Sequence, residues 1–526
     1  MRDFHMPGRS AVYATNGMCA TSHPLAAKTA IDILQSGGNA VDAAIAASVL
    51  LGVCEPAMTG IGGDCFVLVK PAGPEEIIAI NGSGRAPTAL NSADLRAGGH
   101  SVVEPNAVAS VTLPGAIDAF CRLSESHGRM GLDAILAPAI AAFEDGVPVA
   151  PRAAFDWNEA HGRLQGIARD QYLNGGKPFR AGQKFALPGQ AEVLRRIAKD
   201  GRAAFYEGEV MDDMLSGLNS LGGVHTASDF ASVEATPTTP ISGGYGGHEL
   251  VEHPPNGQGA TALLLANILS QFDVASMEPF GAMRAHIEAE ASKLAYDARD
   301  RFLADPDHMT KLDHMLSMDT AQQLAALINP KKAMKNPRKR SENVHKDTIY
   351  LTVVDRDGMA VSLIYSIFNS FGSGLSSDKF GILFQNRGSG FTLEAGHANE
   401  AAGGKRPMHT IIPAMLRHDG KTVMSFGVMG GAYQPNGHVR VLSNMLDYGM
   451  ELQSALDAPR CFADLGKLKV ERGYAPEVHA GLAEMGHDVI VPNTPIGGAQ
   501  AIWMDTENGV LIGASDPRKD GCALGY

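Results

Sequence analysis

The sequence predicts a mixed fold of α-helices and β-strands, and three observations carry this prediction. Residues 348–355 (TIYLTVVD) alternate between two faces, which is typical of a strand. Residues 359–368 (MAVSLIYSIF) form a second run rich in β-branched and aromatic side chains, and the turn-forming residues between the two runs favour a hairpin. Residues 24–54 show apolar positions at helical spacing, and residues 110–330 are predicted to be mostly helical.

The hairpin is predicted to bring two hydroxyl groups together. With Arg356 and Asp357 as its loop, Thr348 lies opposite Tyr365 and close to Ser366. A slip of one residue in register would still leave two hydroxyls at the beginning of the first strand. On this pattern alone, a threonine that opens a strand is nearly always structural.

The functional alternative for Thr348 is a nucleophile. A threonine hydroxyl needs a base, and an N-terminal threonine carries its own in the α-amine, whose free pKa is roughly 7.7–8.0. That chemistry requires cleavage before Thr348. Residues 330–347 (PKKAMKNPRKRSENVHKD) are polar, basic and rich in turn formers, which is the composition of an exposed loop.

Bulk composition narrows the class of protein. The chain has 526 residues, of which 44% are hydrophobic and 19% charged, as expected of a globular protein with a large core. The net charge of −13 argues against a nucleic-acid partner. We find no run of 18 apolar residues and no apolar segment typical of a secretory signal, so we expect no membrane span and a cytoplasmic protein. Six scattered cysteines without CxxC spacing are predicted to be reduced core residues.

Helix boundaries are predicted from capping residues. Ser22 is expected to cap a helix whose first turn holds Pro24, and Asn39 is expected to cap the next one. His23 is either a catalytic base or a helix-start histidine with local hydrogen bonds, and the second interpretation is favoured. Residues 286–307 are predicted to form a long amphipathic helix with many charges on its outer face.

Two glycine-rich stretches are candidates for ligand contact. Gly430 and Gly431 follow a predicted strand, and adjacent glycines let backbone N–H groups approach a ligand, although such a pair is usually just a turn. Arg85 lies in the loop NGSGRAP and either grips a carboxylate or is a solvated surface residue. We find no phosphate-binding loop, no HExxH, no zinc spacing, no dinucleotide fingerprint and no GxSxG, so no metal or organic cofactor is expected.

Longer stretches resemble one family. The segment DTIYLTVVDRDGMAVSLIYSIFNSFGSG resembles the start of the small subunit of the γ-glutamyltransferase family of N-terminal-nucleophile hydrolases, and residues 37–69 (GGNAVDAAIAASVLLGVCEPAMTGIGGDCFVLV) resemble its N-terminal signature. The resemblance covers nearly the whole chain and implies a four-layer αββα sandwich, an α+β fold. It also implies self-cleavage between Asp347 and Thr348, so that residues 1–347 form a large chain and residues 348–526 a small chain within one integrated domain.

The resemblance assigns roles to matching positions. Thr348 matches the nucleophile, Ser366 the hydroxyl that supports it, and Gly430 with Gly431 the oxyanion hole. Several substrate-binding positions differ from those of γ-glutamyl-specific members. Phe368 replaces an asparagine, and Gly390 replaces a carboxylate that grips an α-amino group. Arg387 replaces a glutamine, and His409 and Thr410 replace paired serines. Asn386 matches the family residue, whereas Arg85 is displaced by two positions from the family arginine.

These differences, with GSGRAP and QNRGSGF, resemble the subgroup that includes oxamate amidohydrolase. We therefore expect an amidohydrolase that acts through an acyl-enzyme on a small substrate with a carboxylate held by Arg387. The alternatives are a γ-glutamyltransferase or glutathione hydrolase, and a family member without catalysis. The partners expected are a small-molecule amide and the two chains of one precursor, and a homodimer is left open.

Overall fold

The computed structural model describes residue 5, residues 8–335 and residues 348–526. The helices are α1 (Pro24–Gln35), α2 (Ala40–Cys54), α3 (Ser92–Ala97), α4 (Ala116–His127), α5 (Leu132–Asp145), α6 (Pro151–Ala160), α7 (Ala168–Tyr172), α8 (Pro188–Asp200), α9 (Ala203–Tyr206), α10 (Gly208–Ser220), α11 (Ala227–Ala231), α12 (Gly259–Leu269), α13 (Ala282–Phe302), α14 (Leu312–Leu316), α15 (Met318–Ala325), α16 (Gln434–Leu446), α17 (Leu452–Asp457) and α18 (Pro476–Glu484).

The strands alternate with these helices along the chain. They are β1 (Val12–Ala14), β2 (Met18–Thr21), β3 (Asp64–Lys70), β4 (Ile78–Gly82), β5 (Val147–Pro148), β6 (Lys184–Phe185), β7 (Thr236–Thr238), β8 (Ile241–Tyr245), β9 (His248–Glu252), β10 (Ile349–Val354), β11 (Ala360–Ser366), β12 (Ala414–His418), β13 (Lys421–Met429), β14 (Cys461–Asp464), β15 (Lys467–Val470), β16 (Val489–Ile490), β17 (Gly498–Asp505), β18 (Val510–Ser515) and β19 (Cys522–Gly525).

Two seven-stranded antiparallel sheets form the centre of the described chain. One has the order β1-β18-β17-β13-β12-β9-β8, and the other has the order β19-β2-β10-β11-β3-β4-β7. Each sheet combines strands from before residue 335 with strands from after residue 348. The two parts of the sequence are therefore interleaved in both sheets.

The apolar residues of the sheets divide into three layers of core. Ile349, Leu351 and Val353 of β10 face outward and pack with the helices of residues 24–218. The alternate residues of the same sheet, such as Val354, meet residues such as Met415 of the second sheet in the space between the sheets. The outer face of the second sheet packs on α12, α13 and α16. The order helix, sheet, sheet, helix confirms the predicted four-layer αββα sandwich.

The first strand of the β10–β11 hairpin is anchored through its turn. Asp355 Oδ1 accepts hydrogen bonds from the backbone N–H groups of Asp357 and Met359, both at 3.0 Å. Asp355 Oδ2 accepts from the N–H of Ala40 at 3.0 Å, at the first residue of α2. Asn39 caps α2 as predicted. The turn and the start of this fully buried helix therefore fix each other.

The predicted hairpin register was wrong by one residue. Ile349, not Thr348, lies opposite Tyr365, and the pairing ends with Val354 opposite Ala360. The loop has three residues, 356–358, instead of the predicted two, because the N–H of Asp355 donates to Met359 O at 3.1 Å and Asp355 Oδ1 accepts from the N–H groups of Asp357 and Met359. The shift places Thr348 at the level of Ser366, so that two hydroxyls meet as expected.

The predictions about the cap of α1, the long helix and the cysteines can also be compared with the structure. The cap of α1 is His23, whose Nδ1 accepts from the N–H of Leu25 at 3.2 Å, whereas the predicted cap Ser22 instead donates to Glu55. The long helix α13 exists, but Glu288 and other charged residues on it are buried because α12 covers one side and β14 and α18 another. All six cysteines are free. No helix among the described residues is long and apolar enough to cross a membrane.

Candidate active site

Thr348 and Ser366 form a buried pair of hydroxyls where β10 begins and β11 ends. Thr348 Oγ1 donates to Ser366 Oγ at 3.2 Å, and both residues are at most 1% exposed. Ser366 Oγ also accepts from the backbone N–H of Phe368 at 2.8 Å. The Phe368 backbone has φ = 77°, a conformation that is rare outside glycine and that turns the chain sharply after the strand. The serine is thus held in place to accept the threonine hydroxyl.

The Gly430–Gly431 turn lies at the end of β13, in the sheet that faces β10. Thr352 donates to Ser425 Oγ at 2.6 Å, and the ring of Tyr350 fills the space above Gly427, where an added Cβ would lie 2.4 Å from the ring. Residue numbers fall along β10 as they rise along β13 in these two contacts. Continued by two residues, the same relation places Thr348 at the level of Met429, which precedes Gly430. The two sheets therefore present the hydroxyl pair and the glycine turn at the same edge.

The glycine turn has a backbone that other residues would not adopt. Gly430 has φ = 121° and Gly431 has φ = 56°. A Cβ on Gly430 would lie 2.8 Å from the Cα of Gly497. Gln258 Nε2 donates to the carbonyl of Gly431 at 2.9 Å and to that of Thr410 at 2.6 Å. This amide fixes the turn relative to the segment that carries His409 and Thr410.

Arg387 is a fully buried cation in the same region. Its guanidinium lies 4.1 Å from the centroid of the Phe368 ring, which links it to Ser366 through the Phe368 backbone. Nη1 donates to Thr410 Oγ1 at 3.3 Å. Nε and Nη2 have no hydrogen-bond partner among the described residues. Burial lowers the pKa of this side chain to about 9, against the opposing effect of Asp64.

Asp64, which the sequence analysis did not single out, is the carboxylate of the site. It opens β3, and its Oδ2 lies 3.8 Å from Arg387 Nε. Its Oδ1 accepts from the N–H of Gly84 at 2.9 Å and from Gln385 Nε2 at 2.8 Å. Burial raises the pKa of Asp64 to about 6, although Arg387 and the hydrogen bonds act to lower it. The observation that could have identified Asp64 from the sequence is an aspartate at the start of a mostly apolar strand, directly after GIGG.

His409 completes this buried polar cluster. The N–H of Ile411 approaches His409 Nδ1 at 3.4 Å, so Nδ1 is the acceptor and Nε2 carries the hydrogen. Nε2 then donates to Asp64 Oδ2 at 3.1 Å. Burial, together with Arg387 and other cations, lowers the pKa of His409 well below its usual value. A neutral His409 therefore orients Asp64 by a hydrogen bond, and Arg387 is the cation that faces this carboxylate.

The remaining predicted residues are placed differently. Asn386 uses its side chain within the loop, where Oδ1 accepts from the N–H of Asn369 at 3.1 Å and Nδ2 donates to Pro105 O at 2.9 Å. Arg85 does not join the cluster, since its guanidinium donates to Gly404 O at 3.0 Å and pairs with Asp305 at 3.4 Å. Asp347, the other residue of the predicted cleavage site, lies outside the described residues.

Comparisons with known proteins agree with this geometry. The family model described as Gamma-glutamyltranspeptidase matches residues 26–526. The chain is 34% identical to the glutathione hydrolase-like YwrD proenzyme of Bacillus subtilis, over 98% of this chain and 99% of that protein. It is 33% identical to the oxamate amidohydrolase proenzyme of Klebsiella pneumoniae, again over 98% of this chain and 99% of that protein.

A solved structure shows the same architecture. The crystal structure of cephalosporin acylase from Bacillus halodurans superposes with a TM-score of 0.92 at 36% sequence identity, covering 100% of this chain and 99% of that one. The relatives are hydrolases and acylases, so the expectation of an enzyme of this kind is confirmed. The chain belongs to the γ-glutamyltranspeptidase family of N-terminal-nucleophile hydrolases.

Proposed function

We propose that this protein is a self-cleaving amidohydrolase that acts on a small amide bearing a carboxylate, of which oxamate is the probe. The observation that carries this proposal is Arg387, a fully buried guanidinium whose Nε and Nη2 have no hydrogen-bond partner among the described residues. These two nitrogens form one edge of the guanidinium fork, which matches the two oxygens of a carboxylate. A buried donor pair without an acceptor costs free energy unless a ligand supplies one.

The substrate is expected to lack an α-amino group. A γ-glutamyl substrate needs a carboxylate that accepts from its ammonium, and Gly390 has no side chain at the position that the resemblance assigns to this contact. Asp64 is a carboxylate nearby, but Gly84, Gln385 and His409 already donate to it. Its remaining interaction is with Arg387, so it is better suited to orienting the arginine than to binding an ammonium.

Thr348 is proposed as the nucleophile after cleavage of the 347–348 peptide bond. Its Oγ attacks the amide carbonyl while its freed α-amine takes the hydroxyl proton, and Ser366 Oγ orients that hydroxyl. The backbone N–H groups of Gly430 and Gly431 stabilise the oxyanion, where one donor is typically worth ~10²–10³ in rate. The α-ammonium then protonates the leaving amine, and an ester to Thr348 remains. Water hydrolyses this ester to release the acid and restore the hydroxyl.

Maturation is proposed to use the same hydroxyl. Attack of Thr348 Oγ on the carbonyl of Asp347 converts the peptide bond into an ester, and water then separates residues 1–347 from residues 348–526. Both relatives, the YwrD protein and oxamate amidohydrolase, are named as proenzymes, which supports such processing. Because strands from both parts share each sheet, the two chains are expected to stay together after the cut.

Hydrolysis of glutathione is the second candidate, because the relative in Bacillus subtilis is named glutathione hydrolase-like. The two candidates are separated by incubating the purified protein with oxamate and with glutathione in parallel and measuring release of ammonia and of glutamate. We expect a larger kcat/KM for oxamate. Preferential release of glutamate would overturn the proposed substrate class while leaving the nucleophile untouched.

The nucleophile is tested by Thr348→Ala. We expect the wild type to run as two fragments, with mass spectrometry placing the new N-terminus at Thr348, and the variant to stay a single uncut chain without activity. The matched control is Thr352→Ala, which removes a buried threonine hydroxyl from the same strand and keeps Thr348. Two fragments from Thr348→Ala, or an active wild type with the 347–348 bond intact, would contradict the assignment.

A further inference from the structure

A second buried cluster, on the far side of the outer helical layer, has the composition of a metal centre. His286 and Glu290 stand one turn apart on α13, and His487 follows the end of α18. All three residues are buried, and one ligand atom from each lies within 4.8 Å of the others. None of these residues takes part in the proposed active site.

The hydrogen bonds of His286 fix which of its nitrogens can bind a ligand. Nε2 lies 2.8 Å from the carbonyl oxygen of Asn329, which can only accept, so Nε2 carries the hydrogen. Nδ1 of the neutral ring therefore presents a lone pair, directed at His487 Nε2 at 2.7 Å. Metal-binding histidines commonly donate their other ring N–H to a backbone carbonyl, because that contact fixes the tautomer and the ring orientation.

The carboxylate of Glu290 is held in the same manner. Its Oε2 accepts from the backbone N–H of Met334 at 2.7 Å, and its Oε1 accepts from Lys293 Nζ at 2.6 Å. Lys293 Nζ also donates to Met334 O at 3.1 Å. Lys293 thus places a positive charge beside the Glu290 carboxylate.

We propose that His286, Glu290 and His487 bind a divalent transition-metal ion, with Zn²⁺ as the probe. Two imidazole nitrogens and one carboxylate oxygen form a familiar ligand set for Zn²⁺, which leaves a fourth position for water. Bonds of about 2.0–2.2 Å require the two nitrogens to move apart by roughly half an ångström. When the ion binds, the hydrogen on His487 Nε2 moves to Nδ1 of the same ring, so both imidazoles stay neutral. The ion then replaces the hydrogen bond between His286 Nδ1 and His487 Nε2.

The site would stabilise the segment that leads toward residue 348. Asn329 and Met334 supply the backbone contacts to His286 and Glu290, and the N–H of Ala333 donates to Met485 O at 2.7 Å. An ion bound to these side chains would therefore secure residues 329–334, the end of the first described part of the chain. This inference does not depend on the proposed catalytic function.

The full chain, freed of its tag, is treated with a chelator and desalted, then incubated with Zn²⁺ and desalted again, and the Zn²⁺ that stays bound is measured. We expect about one ion per chain in the wild type. His286→Gln and His487→Gln should weaken binding by about 100-fold or more, because each removes a ligand whose supporting contacts alone are worth about 10–100-fold. His479→Gln is the matched control, because this histidine lies on α18 outside the cluster. Lys293→Met should strengthen binding by about tenfold, because it removes a like charge beside the ion.

Circular dichroism and gel filtration establish that each variant is folded. If either glutamine variant does not fold, the decision rests on the wild type loaded with Co²⁺ and on Lys293→Met. A d–d absorption spectrum typical of nitrogen and oxygen ligands, together with tighter binding by Lys293→Met, supports the site. A wild type that retains no Zn²⁺ or Co²⁺, or a folded His286→Gln or His487→Gln variant that binds as the wild type does, overturns it.

Discussion

Buried arginines meet a buried carboxylate both in the outer helical layer and in the candidate active site, and the hydrogen bonds of the arginines are satisfied to different degrees. In the outer helical layer, Arg284 and Arg440 share the carboxylate of Glu288. In the candidate active site, Arg387 faces Asp64 at 3.8 Å, beyond hydrogen-bond distance. All three arginines are at most 4% exposed. The difference therefore lies in their partners and not in their burial.

The two arginines that share Glu288 leave few of their N–H donors without an acceptor. Each nitrogen of Arg284 donates, with Nε to Glu288 at 2.8 Å, Nη1 to Pro279 O at 2.9 Å, and Nη2 to Ser443 Oγ at 3.0 Å and Asn444 Oδ1 at 2.9 Å. These contacts use four of the five N–H groups of Arg284 and hold α13 against α16. Among the described residues, Arg387 makes one hydrogen bond from its five N–H groups, so its remaining donors are available to a ligand.

The electrostatics follow the same division. Burial acts to lower the pKa of Arg440, but Glu288, which accepts two hydrogen bonds from Nη1 at 2.8 and 2.7 Å, raises that pKa above its usual value. Burial lowers the pKa of Arg387 to about 9, since Asp64 compensates it only in part. Arg440 Nε also has no hydrogen-bond partner among the described residues, so the difference lies in the bound carboxylate. We infer that a buried arginine hydrogen-bonded to a carboxylate serves the fold, whereas one that lacks this bond and has an open Nε–Nη2 edge serves a substrate.

The largest expected effect in this comparison comes from Glu288→Gln. The variant keeps the shape of the side chain but leaves two buried guanidinium charges without a counter-charge, so we expect the free energy of unfolding to fall by about 3–5 kcal/mol. Chemical denaturation of wild type and variant measures this change. The kcat/KM of the folded fraction should stay within about twofold of the wild type, because no contact of the active site is altered.

The control for Glu288→Gln is Asp32→Asn in the exposed pair of Lys28 and Asp32, whose side chains are 66% and 51% exposed. An exposed pair typically contributes less than about 1 kcal/mol, so this variant should unfold almost as the wild type does. Equal unfolding midpoints for Glu288→Gln and the wild type would contradict a structural role for the Arg284–Glu288–Arg440 group.

The opposite pattern is expected for Arg387→Met. The substitution removes the desolvation cost of a buried guanidinium but takes away the counter-charge of Asp64, so the free energy of unfolding should fall by less than about 2 kcal/mol, which is less than in Glu288→Gln. Asp64 keeps three other hydrogen-bond donors in this variant. The kcat/KM for oxamate should fall by about 100-fold or more, because the grip on the carboxylate is lost. Steady-state kinetics and denaturation on the same preparation separate the two quantities.

Two results would contradict the substrate-binding role of Arg387. One is a loss of stability in Arg387→Met as large as that in Glu288→Gln, which would make Arg387 structural. The other is an unchanged kcat/KM, which would place the carboxylate of the substrate elsewhere. Arg85→Met serves as the control, because Arg85 is bound to Gly404 and Asp305 outside the cluster.

The comparison extends to buried histidines. His409 uses both ring nitrogens within the candidate site, whereas His23 uses Nδ1 to cap α1, and its Nε2 has no hydrogen-bond partner in the described structure. Burial lowers the pKa of His23 to about 4, against an opposing effect of Asp520. The unfolded chain, with a histidine pKa near 6.5, therefore takes up the proton first as the pH falls, and stability is lost between about pH 6.5 and pH 4.

His23→Asn is expected to remove this pH dependence. Asparagine caps helices well, so the variant should match the wild type within about 1 kcal/mol at pH 8. At pH 5 it should gain about 2 kcal/mol relative to the wild type, because it has no proton to take up on unfolding. Urea denaturation at both pH values measures the difference. Parallel pH profiles for the two proteins would show that His23 is not neutral in the folded state.

The sequence predicted much of the frame and part of the site. The alternation of residues 349–354 predicted β10, and the hydroxyls of Thr348 and Ser366 could be paired because a hairpin brings neighbouring residues of the sequence together. The register failed because the Asp355 side chain organises a wider turn, which strand patterning does not encode. Local pattern is therefore a good guide to hairpins and a poor one to their turns.

Contacts between distant residues were beyond sequence reasoning. Asp64 and His409 are 345 positions apart, and His286 and His487 are 201 apart, so neither spacing resembles a ligand or catalytic motif. Arg85 shows the converse, because its glycine-rich loop suggested a ligand contact although Asp305 and Gly404 occupy the guanidinium in the fold. A residue's type and neighbours indicate what it is able to bind, but only the fold decides what reaches it.

The smallest effect concerns the ring beneath Arg387. Phe368→Leu keeps apolar bulk and the same backbone conformation but removes the aromatic face that lies 4.1 Å from the guanidinium. Cation–π contacts contribute about 0.5–2 kcal/mol, so kcat/KM for oxamate should fall by about 3–30-fold. A double-mutant cycle sharpens the result: in the Arg387→Met background the same substitution should have almost no further effect, because the cation is already absent. Equal losses in both backgrounds would mean that Phe368 shapes the site independently of the charge, and that Arg387 is oriented by Thr410 and Asp64 alone.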